Sequence, residues 1–272
     1  MSSLRKGLYV LPSMFTAGNL ASGFISVICA INGNFNAAAW FIILAILFDM
    51  SDGRVARLTK TMSKFGMEFD SLCDLVSFGV APAILMYQLV LNTMANAGIA
   101  IAVIFVIASA TRLAKFNVKA MEPVDKNKPK SDTFSGLPTP ASAGLIASFV
   151  LSYEIFDGTV LNFKTIPLLM KKMPFFFNAM PVIMVLLAFL MVSTVPYGAF
   201  KHIKWTRPKS IQVFFLAVVF IALICAYPQN TIFLIFLLYV LSGFVVLLIR
   251  GHKIRKALSK FKKRKQINDE EE

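Results

Sequence analysis

The apolar residues of this chain are gathered into long runs, and that gathering restricts the fold more than any other feature. A helix needs about 20 mostly apolar residues to cross a bilayer. Runs of that kind can be drawn at 14–32, 36–53, 70–91, 97–116, 138–155, 174–193, 211–227 and 231–249. Asn32-Gly33-Asn34, the stretch Asn92 to Gly98, and Tyr227-Pro228-Gln229-Asn230 break them apart. The chain is 57% hydrophobic and only 15% charged, whereas a soluble domain is about a quarter charged. Disorder is excluded by the same balance, and three cysteines cannot frame a small secreted scaffold. The expected fold is all-α: a polytopic transmembrane helical bundle of about eight spans.

Charge gives the orientation. With the N-terminus inside, every one of the 28 lysines and arginines except Lys164, Lys171 and Lys172 falls on the cytoplasmic side. An even number of spans follows, with N- and C-termini both cytoplasmic. The net charge of +14 lies in short clusters between apolar runs, which suits anionic headgroups and not nucleic acid. Cys29, Cys73 and Cys225 each sit in an apolar stretch and read as small buried hydrophobes. The N-terminal residues before Pro12 lack the pattern of a secretory signal and are expected to lie in the interface. No internal repeat or linker divides the chain. Residues 1–249 read as one transmembrane domain and 250–272 as a basic cytoplasmic tail that closes on acidic residues.

Five acids surround one cytoplasmic connection: Asp49, Asp52, Glu68, Asp70 and Asp74. The four aspartates stand at the ends of apolar runs, where a carboxylate costs a few kcal/mol, about 2.5 or more, and usually lines a wet, functional cavity. Asp49 and Asp52 are three apart and Asp70 and Asp74 four apart, so each pair shares a helix face. A short connection makes the two helices antiparallel neighbours and brings the pairs together. Such carboxylates repel unless cations intervene, and oxygen-only ligands suit Mg2+ or Mn2+, one ion or two. Gly53 and Gly66 leave room for a close approach, and Arg57 is suited to grip an anionic group beside the metals. Ion pairing with Arg54, Arg57, Lys60 and Lys64 would account for a lone Asp-x-x-Asp. Four acids, two glycines and an arginine in this order favour the metal site.

These residues, Asp49-x-x-Asp52-Gly53-x-x-Ala56-Arg57, then eight residues, then Gly66-x-x-x-Asp70-x-x-x-Asp74, resemble in full the signature of the CDP-alcohol phosphatidyltransferase family. The resemblance implies a membrane enzyme that moves a phosphatidyl group from CDP-diacylglycerol to an alcohol, releasing CMP. It implies metal ligation by Asp49, Asp52, Asp70 and Asp74, with Asp74 also the general base. Gly53, Ala56, Arg57 and Gly66 would line the CDP site, and a homodimer in the cell membrane is implied.

Three further segments resemble the branch of this family whose acceptor is L-serine: Asp70 to Pro82, Arg112-Leu113-Ala114-Lys115-Phe116-Asn117, and Phe134 to Pro140. Met191-Val192-Ser193 before a basic loop fits the same branch, while Lys115 stands where that branch would have arginine. A serine carboxylate wants a cation. Arg112 is the first choice, with Lys115, Asn117 and the Thr133 to Pro140 loop behind it, Thr133 and Ser135 foremost in that loop; positive-inside anchoring would also explain the two cations. Thr16 and Asn19 on the first span could reach the nucleotide or hydrogen-bond a neighbouring helix. The last two spans carry no usable motif. Two other functions compete: the same transfer to glycerol 3-phosphate or inositol phosphate, and cation-coupled transport. Transport would place charges near the bilayer midplane, whereas these cluster at the cytoplasmic edge.

Overall fold

A computed structural model of the chain describes residues 3–59, 63–121, 133–154, 174–198 and 226–243, with single positions at 215 and 218. Asn32-Gly33-Asn34 closes one helix and opens the next. After α1 (Ser3–Ile31), Gly33 adopts φ 77°, the left-handed region that costs glycine nothing. Its N–H donates to Ala30 O at 3.1 Å and that of Asn34 to Cys29 O at 2.9 Å, satisfying carbonyls the helix end would orphan. Asn34 then caps α2 (Phe35–Thr59), its Oδ1 accepting from Ala37 N–H at 3.2 Å.

The third helix starts at Lys64 rather than at the expected residue 70, because Ser63 caps it: Ser63 Oγ accepts from Gly66 N–H at 2.9 Å. Helix α3 (Lys64–Asp74) passes through one π-helical turn (Leu75–Val80) and continues as α4 (Ala81–Leu89). Pro82 has no N–H to give, and Ala81 N–H reaches back to Val76 O in the wide turn. A 3-10 turn (Leu91–Met94) leads into α5 (Ala95–Met121).

The remaining described elements are β1 (Thr133–Ser135), α6 (Thr139–Glu154), α7 (Pro174–Val192), β2 (Pro196–Gly198) and α8 (Pro228–Gly243). The all-α expectation needs one amendment, since β1 and β2 pair antiparallel with Phe134 opposite Tyr197. Gly136 follows the ladder at φ 86°, and a Cβ there would run into the carbonyl oxygens of Met191 and Ser193. Its N–H donates to Val195 O at 2.8 Å, and Leu137 N–H to Leu190 O at 3.0 Å. The connections after α5 and after α7 are thereby tied together at one end of the bundle.

Helix α6 is apolar or small on all faces and is buried from Ala141 to Ser152, with α2 against it; α1 packs on α2 and α5 on α7. Outside this core the exposed residues are large and apolar, among them Phe24, Leu47, Ile107, Val182 and Phe189. Inside it, α1 buries a polar stripe of Thr16, Asn19, Ser22 and Ser26. An arrangement with apolar side chains outward and small or polar ones inward belongs to a lipid solvent. Ser13–Ile31, Phe35–Val55, Lys64–Leu89 and Leu91–Met121 are long and apolar enough to cross a membrane; Thr139–Ser152, Asn178–Val192 and Pro228–Gly243 are apolar but shorter. The expected seventh span, apart from a few positions, and the 250–272 tail lie outside the described residues, as does Cys225, while Cys29 and Cys73 are free thiols, Cys73 buried.

Candidate active site

The inward stripe of α1 determines how the acids are presented. Asp49 and Asp52 are three residues apart on α2, so their side chains diverge by about 60° around the helix. Asp52, 5% exposed, points toward α1 and accepts from Thr16 Oγ1 at 3.1 Å. Asp49 points toward α3. There Asp70 and Asp74 stand one helical turn apart, and one carboxylate oxygen from each of Asp49, Asp70 and Asp74 lies within 4.8 Å of the others. The Asp52 carboxyl adjoins Asp70 without joining that triad. Asn19, fully buried, donates from Nδ2 to Asp74 Oδ1 at 2.9 Å.

The π turn makes that last contact possible. It carries Ser77 inward, where its Oγ donates to the Asn19 carbonyl at 3.0 Å. Gly23, one turn along α1, faces Ser77 so closely that a Cβ would overlap both its side chain and its Cα. The Asn19–Asp74 bond thus rests on a glycine contact between α1 and the turn that follows Asp74.

The triad opens into a cavity of about 340 Å³ whose walls include Arg112 and Asn117 of α5, Thr139 of α6 and Tyr239 of α8. The carboxylate triad fits a divalent ion: its donors are hard oxygens, and Asp70 Oδ1 is buried with no hydrogen-bond partner among the described residues. Arg112 Nε is also buried and, among the described residues, has no partner. With a divalent ion on the three carboxylates, and the Arg112 guanidinium in the same wall, the cavity would be able to hold phosphates and a small polar acceptor together.

The other expected residues are distributed as follows. Gly53 faces open space, so its missing side chain leaves room beside Asp49 one turn away; Gly66 sits one turn before Asp70, its position bounded by Ser63 Oγ. Ala56 and Arg57 continue α2, and Thr133 and Ser135 form β1, but the side chains of all four lie outside the described residues. Lys115 is exposed and donates to Val192 O at 3.3 Å, away from the cavity wall. Asn117 bridges two residues of α3, accepting from Ser71 Oγ and donating to Glu68 Oε2, each at 3.0 Å. Thr16 and Asn19 hydrogen-bond aspartates and do not line the cavity.

Sequence reasoning passed over Tyr239 and reached Thr139 only as one member of the Thr133 to Pro140 loop. For Tyr239 the signal was a phenol in the middle of the apolar run 231–249, where a polar tip usually finds a hydrogen-bond partner. Thr139 stands between two prolines of that loop, and its hydroxyl is buried without a partner among the described residues.

Residues 9–249 match the CDP-alcohol phosphatidyltransferase family, and the chain belongs to it. A CDP-diacylglycerol–serine O-phosphatidyltransferase of Helicobacter pylori is 35% identical over 241 residues, covering 88% of this chain and 91% of that protein. One of the same name from Methanocaldococcus jannaschii is 30% identical over 251 residues, 92% of this chain and 100% of the relative. An archaetidylserine synthase of Methanothermobacter thermautotrophicus is 40% identical over 144 residues, 52% of this chain and 58% of its own length. The chain is thus a membrane-embedded enzyme of the family that transfers phosphatidyl groups to alcohols.

Proposed function

We propose that the chain transfers the phosphatidyl group of CDP-diacylglycerol to the hydroxyl of L-serine, giving phosphatidylserine and CMP. The observation that carries the reading is the Asp49–Asp70–Asp74 triad opening on a cavity with Arg112 in its wall. The Helicobacter pylori and Methanocaldococcus jannaschii relatives, similar over most of their length, bear the name of this activity.

Asp49, Asp70 and Asp74, with Asp52 beside them, would hold Mg2+ or Mn2+, one ion or two. When bound, the metal supplies charge neutralisation at the phosphates, the main demand of phosphoryl transfer. Asp74 accepts the serine hydroxyl proton as the oxygen attacks the lipid-side phosphorus. The new P–O bond forms as the bond to CMP breaks, and CMP leaves with that electron pair. Asn19 holds the Asp74 carboxylate and Thr16 that of Asp52, so neither must reorient during the reaction. Gly53 and Gly66 leave space for the nucleotide, with Ala56 and Arg57 along its phosphates. Arg112 receives the serine carboxylate, with Asn117, Lys115, Thr133 and Ser135 around it.

The full reading also has eight spans, both termini and the site at the cytoplasmic face of the cell membrane, a transmembrane domain over 1–249, a basic tail over 250–272, and a homodimer. It is tested with the purified full chain, CDP-diacylglycerol, Mg2+ or Mn2+ and labelled serine. Phosphatidylserine and CMP should appear in equal amounts. Preferential labelling of glycerol 3-phosphate or inositol phosphate would overturn the acceptor assignment, and ion flux without CDP-lipid turnover would overturn the enzyme reading.

A further inference from the structure

Helix α8 lies far along the chain from the acidic signature, yet it supplies a wall of the cavity. Its placement is fixed on two sides. Gly243 faces the Tyr197 ring so closely that no side chain fits between them, and the Tyr197 hydroxyl donates to Val240 O at 3.5 Å. One turn earlier, Phe236 occupies the space a Cβ on Gly144 of α6 would need. Between these contacts, Tyr239 stacks at an angle on Tyr197, ring centroids 5.7 Å apart, and turns toward the cavity beside Arg112. Because Tyr197 belongs to β2, the ladder that ties two connections together also positions this phenol.

A zwitterionic hydroxy amino acid entering here meets three carboxylates, so its own carboxylate must be drawn away from the triad. Arg112 supplies one attractive charge. A second cation would pair with the aspartates that the metal needs, whereas a neutral phenol can donate to a carboxylate without competing for them. We infer that Tyr239 is a specificity-determining residue for acceptor choice: with Arg112 it binds the carboxylate of a small hydroxy amino acid. The inference rests on the serine-transfer reading and extends it to a helix outside the aspartate signature.

The test uses the full chain in detergent and two acceptors, L-serine and L-serinamide, which lacks the carboxylate charge. Tyr239→Phe keeps the ring against Tyr197 and removes only the hydroxyl. KM for serine should rise about tenfold, the loss expected for one hydrogen bond to a charged group. KM for CDP-diacylglycerol should stay unchanged, and preference for serine over serinamide should fall by the same factor. Tyr239→Ala, if it folds, should show the same selectivity loss. Unchanged serine KM in Tyr239→Phe, or equal loss with both acceptors, would overturn the role of Tyr239 while leaving serine transfer intact. A wild-type enzyme that does not use serine at all would overturn the parent reading, and this inference with it.

Discussion

In the proposed reaction Asp74 combines two requirements at one side chain: it must keep its place in the triad, and it must be free enough to accept a proton. The buried Asn19 amide meets the first by donating to Oδ1 at 2.9 Å. Asp74→Asn should therefore lower serine transfer by about a thousandfold, within the range for losing a general base. Binding of CDP-diacylglycerol, read by cytidine-nucleotide protection from thermal unfolding, should persist. Asn19→Ala should lower kcat about tenfold with little change in either KM, because it removes one charge-assisted bond and no substrate contact. The convergence of the acids was legible in their spacing, since steps of three and four define helix faces. The turning of Asp52 toward Thr16 was not, because spacing says which residues share a face but not which neighbour that face meets. The stripe of Thr16, Asn19 and Ser22 gave a hint as polar interruptions of an apolar run. Only the packing against α2 and the π turn shows that Thr16 and Asn19 hold carboxylates, whereas Ser22 donates to Gly18 O.

Helices end and begin here for different reasons, and these reasons differ in how visible they are in sequence. Asn32-Gly33-Asn34 is a local device, a left-handed glycine followed by an N-cap, and it marks a boundary unaided. Ser63 is equally local, but the apolar run that follows it drew attention to residue 70, and the capped turn before that run went unrecognised. The π turn has no simple signature, and it sets how close α1 comes to Asp74. Gly23→Val should consequently lower the unfolding temperature in detergent by several degrees and abolish transfer together, since the added side chain meets the Ser77 backbone as well as its hydroxyl. Gly136→Ala should destabilise by about 1–3 kcal/mol in a denaturant titration, combining a strained φ with a clash on two carbonyl oxygens. The segments Arg112 to Asn117, Phe134 to Pro140 and Met191 to Ser193, separated in sequence, converge here: Lys115 reaches Val192 O and Leu137 N–H reaches Leu190 O.

Across the molecule, the triad, Arg112, the start of α6, the β ladder and Tyr239 all gather at one end of the bundle. Cysteines introduced at Ser63 and Thr93 test the orientation: a membrane-impermeant maleimide added to intact cells should label Thr93→Cys and spare Ser63→Cys. The central claim is that the aspartates form a divalent-ion site at this end. It is tested most directly by titrating Mn2+ into the purified full chain and reading free ion by electron paramagnetic resonance. The wild-type chain should remove one or two ions per molecule from solution, competed by Mg2+, and the Asp49→Asn, Asp70→Asn double variant should remove none. A wild-type chain that binds no Mn2+, or a folded double variant that binds as the wild type does, would contradict the account.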